Sequence, residues 1–295
     1  MRITDSLKYA ILNKNLARIK QQIDTTQNKI ASGKRITTPS DDPVSASSGI
    51  GLEAEKNMNN QYIRNLERLK TLGGFYDTGI TSIHDLLTKA KEIAITQASS
   101  TMDDKTRKSS AEEIKGIIEQ LVTIGNTKIG NSYIFGGEKA GVVPFTLESD
   151  YAVTFNGSEN VSSVYVDKGT KEASGISGYK VFISDNNIFD GLKKLKDGLE
   201  ANDQSKIAKS LDDLEAALSK TQANISHVGT YVSKIQSYIE YKDTRNLDID
   251  GSLSQMMDVD IAQAVTEFNA LSTAYEAMLY SMAKIQNLSV LNYLQ

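Results

Sequence analysis

The chain has no cysteine and no tryptophan, and only two histidines and three prolines among its 295 residues. Without cysteine there are no disulfide staples, no thiol nucleophile and no cysteine-based metal site. The shortage of proline is more informative. Pro39 and Pro43 fall together in TTPSDDPVS and Pro144 sits in GVVPF. The remaining sequence is free to form long helices, in which a single interior proline costs about 3 kcal/mol. No apolar run reaches the roughly 20 residues of a membrane-spanning helix. The start, MRITDSLKYAILNK, lacks the uninterrupted apolar stretch and small-residue cleavage site of a secretory signal. Net charge is −4 with no long basic run, which gives no expectation of a nucleic-acid partner.

What the chain does have is a pair of matching stripes. Toward the C-terminal end Ile261, Ala264, Phe268, Leu271, Tyr275, Met278, Met282 and Ile285 recur at alternating steps of three and four. Toward the N-terminal end Tyr9, Leu12, Leu16, Ile19, Ile23, Thr26 and Ile30 follow the same rule. That spacing puts a narrow apolar stripe on one side of a helix, the seam of a coiled coil, although a bundle core would also accept it. A lone helix of this kind is marginal in water and needs a partner.

Charge distinguishes the two ends. Residues 1–40 carry eight Lys or Arg and two Asp, a net of +6, and residues 250–295 carry five Asp or Glu and one Lys, a net of −4. Opposite charge favours pairing one arm with the other. Each exposed contact is worth only ~0.2–1 kcal/mol, so charge selects the partner and burial supplies the energy. The acidic partner stripe and the missing tryptophan argue against a membrane-surface role for the basic arm.

Between the arms the pattern predicts a helix over residues 3–32, ended by Gly33, and an extended connector over 34–44. Asp41 or Asp42 then caps the next helix, with Pro43 in its first turn. A helical segment follows over 44–98, interrupted at Gly73-Gly74 by a bend, a break or a close helix crossing. Residues 99–104 supply a turn and cap, and another helix runs to about 128. The period then changes to two. Tyr151, Val153 and Phe155 alternate before Asn156-Gly157, a hairpin signal. Val164, Tyr165 and Val166 make a second β-rich run, Tyr179, Val181 and Ile183 a third, and residues 132–136 one more. Helix resumes at Ile188, and residues 203–243 carry the longest stripe, a rod of about 60 Å.

The expected fold class is mainly α. Elongated antiparallel helical rods carry terminal coiled-coil arms and a small inserted β subdomain. The expected domains are an inner coiled coil (1–40 plus 250–295), a helical rod (41–131 plus 186–249) and an outer β part (132–185).

The residues that usually carry chemistry do not converge. His84 and His227 each lie on a predicted helix with no second ligand at metal spacing, so both read as structural. The pairs Asp41-Asp42 and Asp103-Asp104 sit where helix starts need caps. Gly49-Ile50-Gly51 lacks the third glycine of a dinucleotide fingerprint and follows no strand, and no phosphate-binding loop is present. Asn156, Asn160 and Asn224 each start an Asn-X-Ser triplet that matches the glycosylation pattern at chance frequency. No enzyme activity, cofactor or metal is expected.

Ala31-Ser32-Gly33-Lys34-Arg35-Ile36, followed by Pro39-Ser40-Asp41-Asp42-Pro43, resembles the N-terminal region of the bacterial flagellin superfamily. The closer likeness is to its hook–filament junction subgroup. MRIT at the start, NSYIFGGEKAGVVPF at the turn into the β part, TFNGSENVSSVYVDKG, KVFISDNNIFDGL, DVDIAQAVTEF and LSVLNYLQ all share it. Filament subunits usually show alanines after the paired acids, where this chain has Pro43-Val44, and their terminus differs from LNYLQ.

The resemblance implies a structural subunit exported through the flagellar secretion channel without a cleaved signal. Its terminal segments pair as a coiled coil lining an axial tube, with a middle helical layer and an outward β part. The implied partners are its own copies in a ring, the hook-side junction protein, flagellin or the filament cap, and an export chaperone holding the C-terminal helix. The site residues are then the two seams and the connector Gly33, Lys34, Arg35, Pro39, Asp41, Asp42 and Pro43. The location is the extracellular flagellum, with no membrane or nucleic-acid partner. The alternatives are a flagellin-type filament subunit and, from another class, a coiled-coil signalling rod, which would carry no β part.

Overall fold

A computed structural model describes the backbone of residues 2–99 and 102–291, and side chains within 7–99 and 102–284. It contains six long helices: α1 (Arg2–Ser32), α2 (Pro43–Gln97), α3 (Asp104–Gly125), α4 (Ile188–Glu200), α5 (Gln204–Met257) and α6 (Ile261–Leu291). Short strands lie between α3 and α4: β1 (Lys128–Ile129), β2 (Ser132–Tyr133), β3 (Phe145–Leu147), β4 (Val153–Phe155), β5 (Ser163–Asp167) and β6 (Thr170–Ala173). They pair as three separate antiparallel ribbons, β1–β2, β3–β4 and β5–β6. The fold is therefore mainly α with a small β insertion.

The chain divides into two compact units, Met1–Met58 with Arg245–Gln295, and Asn59–Thr244. Their limits fall inside α2 and α5. In the second unit α2 and α5 run antiparallel. Lys70 Nζ meets Gln236 Oε1 at 2.6 Å, His84 Nδ1 meets Thr221 Oγ1 at 3.0 Å, and Lys91 pairs with Glu215 at 2.8 Å. The stripes of both helices face inward: Ile80, Ile83, Leu87, Ala90, Ala94, Ile207, Leu214 and Val228 are all buried.

The strands do not make a core of their own. Phe135, Phe145, Ile176, Val181 and Phe182 join the same hydrophobic core as α2, α3, α4 and α5. Phe182 stacks on Phe189 at 5.4 Å between ring centroids and lies 4.7 Å from Phe145. Offset and edge contacts of this kind add ~0.5–1.5 kcal/mol per pair beyond area burial. Three-residue ribbons cannot bury enough surface alone, so Phe135, Phe145 and Phe182 of the β segment are buried against helices.

Several details depart from the sequence pattern. Residues 179–183 form a π-turn, closed by Ser184 N–H on the Tyr179 carbonyl at 2.8 Å, instead of a strand. Val181 and Phe182 are consecutive, yet both are fully buried, which a strand with only one face on the core does not do. Asn156-Gly157 does not turn a hairpin. β3 pairs with β4 in the register Phe145↔Phe155, so the turn is residues 148–152 and contains Tyr151 at φ +64. Asn156 instead extends the ladder through its N–H on the Pro144 carbonyl, at 2.8 Å. α5 continues to Met257, well past residue 243.

Gly73-Gly74 neither breaks nor ends α2. A Cβ at Gly73 would lie 2.5 Å from Val232 Cγ2, whereas one at Gly74 would meet nothing within 4 Å. Of the three readings, the close approach of a second helix is the one with a contact behind it: Gly73 leaves room for Val232 of α5, and Gly74 takes no part.

Candidate assembly site

In the first unit α1 packs along α6. The start of this pairing is set by local backbone chemistry. α1 stops at Gly33, whose φ of +68 is the left-handed conformation glycine tolerates best. The chain then crosses the stretch between α5 and α6. Val259 N–H donates to the Gly33 carbonyl at 3.0 Å, and Arg35 N–H to the Met257 carbonyl at 2.6 Å. The Arg35 guanidinium also donates to the Met256 carbonyl at 2.8 Å, and Lys34 Nζ lies 3.0 Å from Asp258. The end of α1 is thereby held beside the start of α6, and the two helices run antiparallel.

The seam residues follow from that placement. On α1, Ile19 and Thr26 are buried, and Tyr9, Leu12, Leu16, Ile23 and Ile30 are half-buried. On α6, Ala264 is buried, and Phe268, Leu271, Tyr275, Met278 and Met282 are half-buried. Ile261 is 47% exposed at the first residue of α6 and stands outside the covered stripe. Ile285 lies in α6, and its side chain is outside the described residues.

The connector is organised by its acids. The Asp41 carboxylate accepts from Thr37 N–H at 2.9 Å and Thr38 N–H at 2.8 Å, and these backbone donors hold its pKa down to about 2. Pro39 lies in the turn that this carboxylate closes. Asp42 is the residue that caps α2, accepting from Ser45 N–H at 3.1 Å, with Pro43 as the first helical residue. Its carboxyl is lowered first by Ser45 and then by Arg35, 3.4 Å away.

The sequence reading missed the residues that meet the connector. Asp258 pairs with Lys34, and its carboxyl is lowered by Ser254 and by Lys34. Asp260 caps α6 by accepting from Gln263 N–H at 3.0 Å. The signal was available, because two acids immediately before an apolar stripe are a helix-start pattern. Nearby, Lys56 reaches Asp250 at 2.5 Å and Arg245 reaches Glu55 at 2.8 Å, joining α2 to α5 within this unit.

One seam does not cover the apolar surface of the arms. Leu7 is 59% exposed, Ile11 52% and Tyr280 79%, with Val265 and Leu279 also exposed. Exposed clusters of large apolar side chains mark surfaces meant for a partner. Among the described residues no group of three or more His, Cys, Asp or Glu lies together at metal-holding distance, and no helix is long and apolar enough to cross a membrane.

Paired terminal arms with uncovered apolar faces define a subunit suited to polymerise. The description of the bacterial flagellin N-terminal helical region matches residues 3–140, and that of the C-terminal helical region matches residues 211–294. The chain belongs to the bacterial flagellin family, a family of flagellar structural proteins. It is similar to flagellar hook-associated protein 3 of Escherichia coli strain K12, 25% identical over 89% of this chain and 90% of that protein. It is also similar to flagellar hook-associated protein 3 of Salmonella typhimurium, 23% identical over 98% of each. The fold matches that of the flagellar hook-associated protein 3 of Legionella pneumophila, with a TM-score of 0.64 and 13% identity, covering 70% of this chain and 98% of that one.

Proposed function

We propose that this chain is the structural subunit joining the hook, through the other junction protein, to the flagellin filament. The observation that carries the reading is the apolar surface left open on α1 and α6 after they close a seam on each other. Neighbouring copies in a ring would cover it, so that ordering of the arms accompanies incorporation. The contact is head-to-tail, and such contacts build rings or open tubes whose two ends differ. One end meets the hook-side junction protein and the other meets flagellin or the filament cap. Before assembly an export chaperone holds the C-terminal helix, and export runs through the flagellar secretion channel to the extracellular flagellum. The seam residues and the connector form the self-assembly site, with no catalytic role.

A filament subunit is the second reading, favoured because the matching family descriptions are those of flagellin. Pro43-Val44 after the paired acids weighs against it. Quantitative mass spectrometry of purified flagella separates the two. A copy number of one or a few rings, independent of filament length, supports the junction. A copy number that scales with length makes the chain a filament subunit, and absence from flagella overturns both.

A further inference from the structure

Within Asn59–Thr244 a second, smaller apolar cluster shares no buried residue with the main core: Leu66 and Leu69 of α2, Ile235 and Ile239 of α5, and Val166 of β5. Val166 is 1% exposed and is the one fully buried strand residue in that cluster, with Val164 of the same strand half-buried against it. Its ribbon pairs with no other strand, and the register slips between Tyr165 and Asp167. The polar attachments are few. Asn65 Nδ2 donates to the Tyr165 carbonyl at 2.8 Å, Tyr231 hydroxyl to the Ala173 carbonyl at 2.7 Å, and Lys234 pairs with Glu172 at 2.6 Å. Lys242, only 5% exposed, pairs with Asp167 at 2.8 Å and lies 5.2 Å from the centre of the Tyr62 ring.

We propose that the β5–β6 hairpin is a clasp that opens by itself, lifting from α2 and α5 as one piece while the main core of its unit stays closed. A two-stranded ribbon is marginal in water, so its order derives from this docking. The docking buries one aliphatic side chain fully, Val166, with Val164 beside it, and one cation, Lys242, and the remaining attachments are the three polar contacts above. It also has a weak point, because Asn59, whose Oδ1 accepts from Lys242 at 3.3 Å, keeps a buried Nδ2 with no hydrogen-bond partner. Segments held by few buried contacts open sub-globally before the core does. Opening uncovers Leu66, Leu69, Ile235 and Ile239 together, an apolar saddle on two helices that the closed hairpin hides.

The absence of cysteine makes the test clean, since Val166→Cys introduces the only thiol. Its modification rate by a thiol reagent is compared with that of Ile118→Cys in the main core, where the side chain is fully buried. The clasp requires Val166→Cys to react ~100-fold or more faster. Lys242→Met should speed Val166→Cys by about tenfold and leave Ile118→Cys unchanged. Equal rates at the two sites, or equal acceleration of both, overturn the proposal. Should Lys242→Met fail to fold, Asp167→Asn makes the same comparison. Amide exchange of residues 163–173 in the unaltered chain provides a second readout, and protection equal to that of α3 also overturns it.

Discussion

The two units bury their apolar residues to very different degrees. The largest fully buried side chains, among them Phe135, Phe145, Leu87 and Leu121, all belong to Asn59–Thr244. The other unit contributes Ile19, Ile36, Ala46, Ile249 and Ala264 to the buried set, and leaves Leu7, Ile11, Val44, Ile50, Leu247, Val265 and Tyr280 exposed. Both have regular heptad-like patterning, so the difference lies in how many elements meet. Around α2, the first case has α3, α4, α5 and the aromatic side chains of the β insertion. In the second, α1 and α6 have chiefly each other, and two helices cannot cover both of their apolar sides. A closed core gives independent stability, whereas an open seam gives a surface whose energy is realised on contact with another copy.

The largest effect should come from exchanging the two kinds of damage. Leu87 is fully buried, so Leu87→Ala is expected to remove about 2–5 kcal/mol and lower the main calorimetric transition by several degrees. Phe268→Asp or Ile19→Asp should leave that transition in place and abolish polymerisation, because a charge on the seam opposes its burial. Normal polymerisation of either variant would break the comparison. A main transition lowered as far as in Leu87→Ala would merge the arms into one cooperative unit with the core.

A finer contrast comes from adjacent glycines inside the well-packed unit. Gly73→Ala places a methyl 2.5 Å from Val232 Cγ2 and should destabilise by ~1–3 kcal/mol. Gly74→Ala enters open space on a helix and should stabilise by up to ~1 kcal/mol. Chemical denaturation of the two variants measures both. If the signs agree, the packing of Val232 on Gly73 is looser than the 2.5 Å approach indicates.

The helices were legible because their stripes persist. The step of three and four from Ile207 to Ile239 matches the buried face of α5, and Asp103 caps α3 by accepting from Thr106 N–H at 2.8 Å. The connector was legible for a similar reason, since proline and aspartate act on their immediate neighbours. The β insertion was harder to read because its geometry is set from outside. Phe145 and Phe182 point where the aromatic cluster lies, whatever the local alternation, and Asn156-Gly157 is drawn into a ladder by Pro144. The connector's partners Met256, Met257 and Val259 were hidden because they contribute backbone carbonyls and an N–H, which any residue carries. Strongly periodic segments reveal their own burial, whereas short segments take theirs from what they pack against.

The smallest expected effect concerns the connector and sharpens the comparison from the side of the open unit. Asp41 accepts two backbone N–H groups, and these lower its carboxyl from an ordinary 3.8 to about 2. A depressed carboxyl pKa means that the ionised form is the one the folded connector prefers. Its contribution is complete above the ordinary value and is lost as pH falls toward about 2. On acidification through that window, the amides of Thr37 and Thr38 should lose protection against exchange while Leu87 and Leu121 keep theirs. Asp41→Ala should give the same loss at neutral pH, with α1 intact up to Gly33. If Thr37 and Thr38 stay protected in Asp41→Ala, the turn is held by Pro39 and the Arg35 contacts, and the paired acids of the connector serve chiefly to start α2 through Asp42.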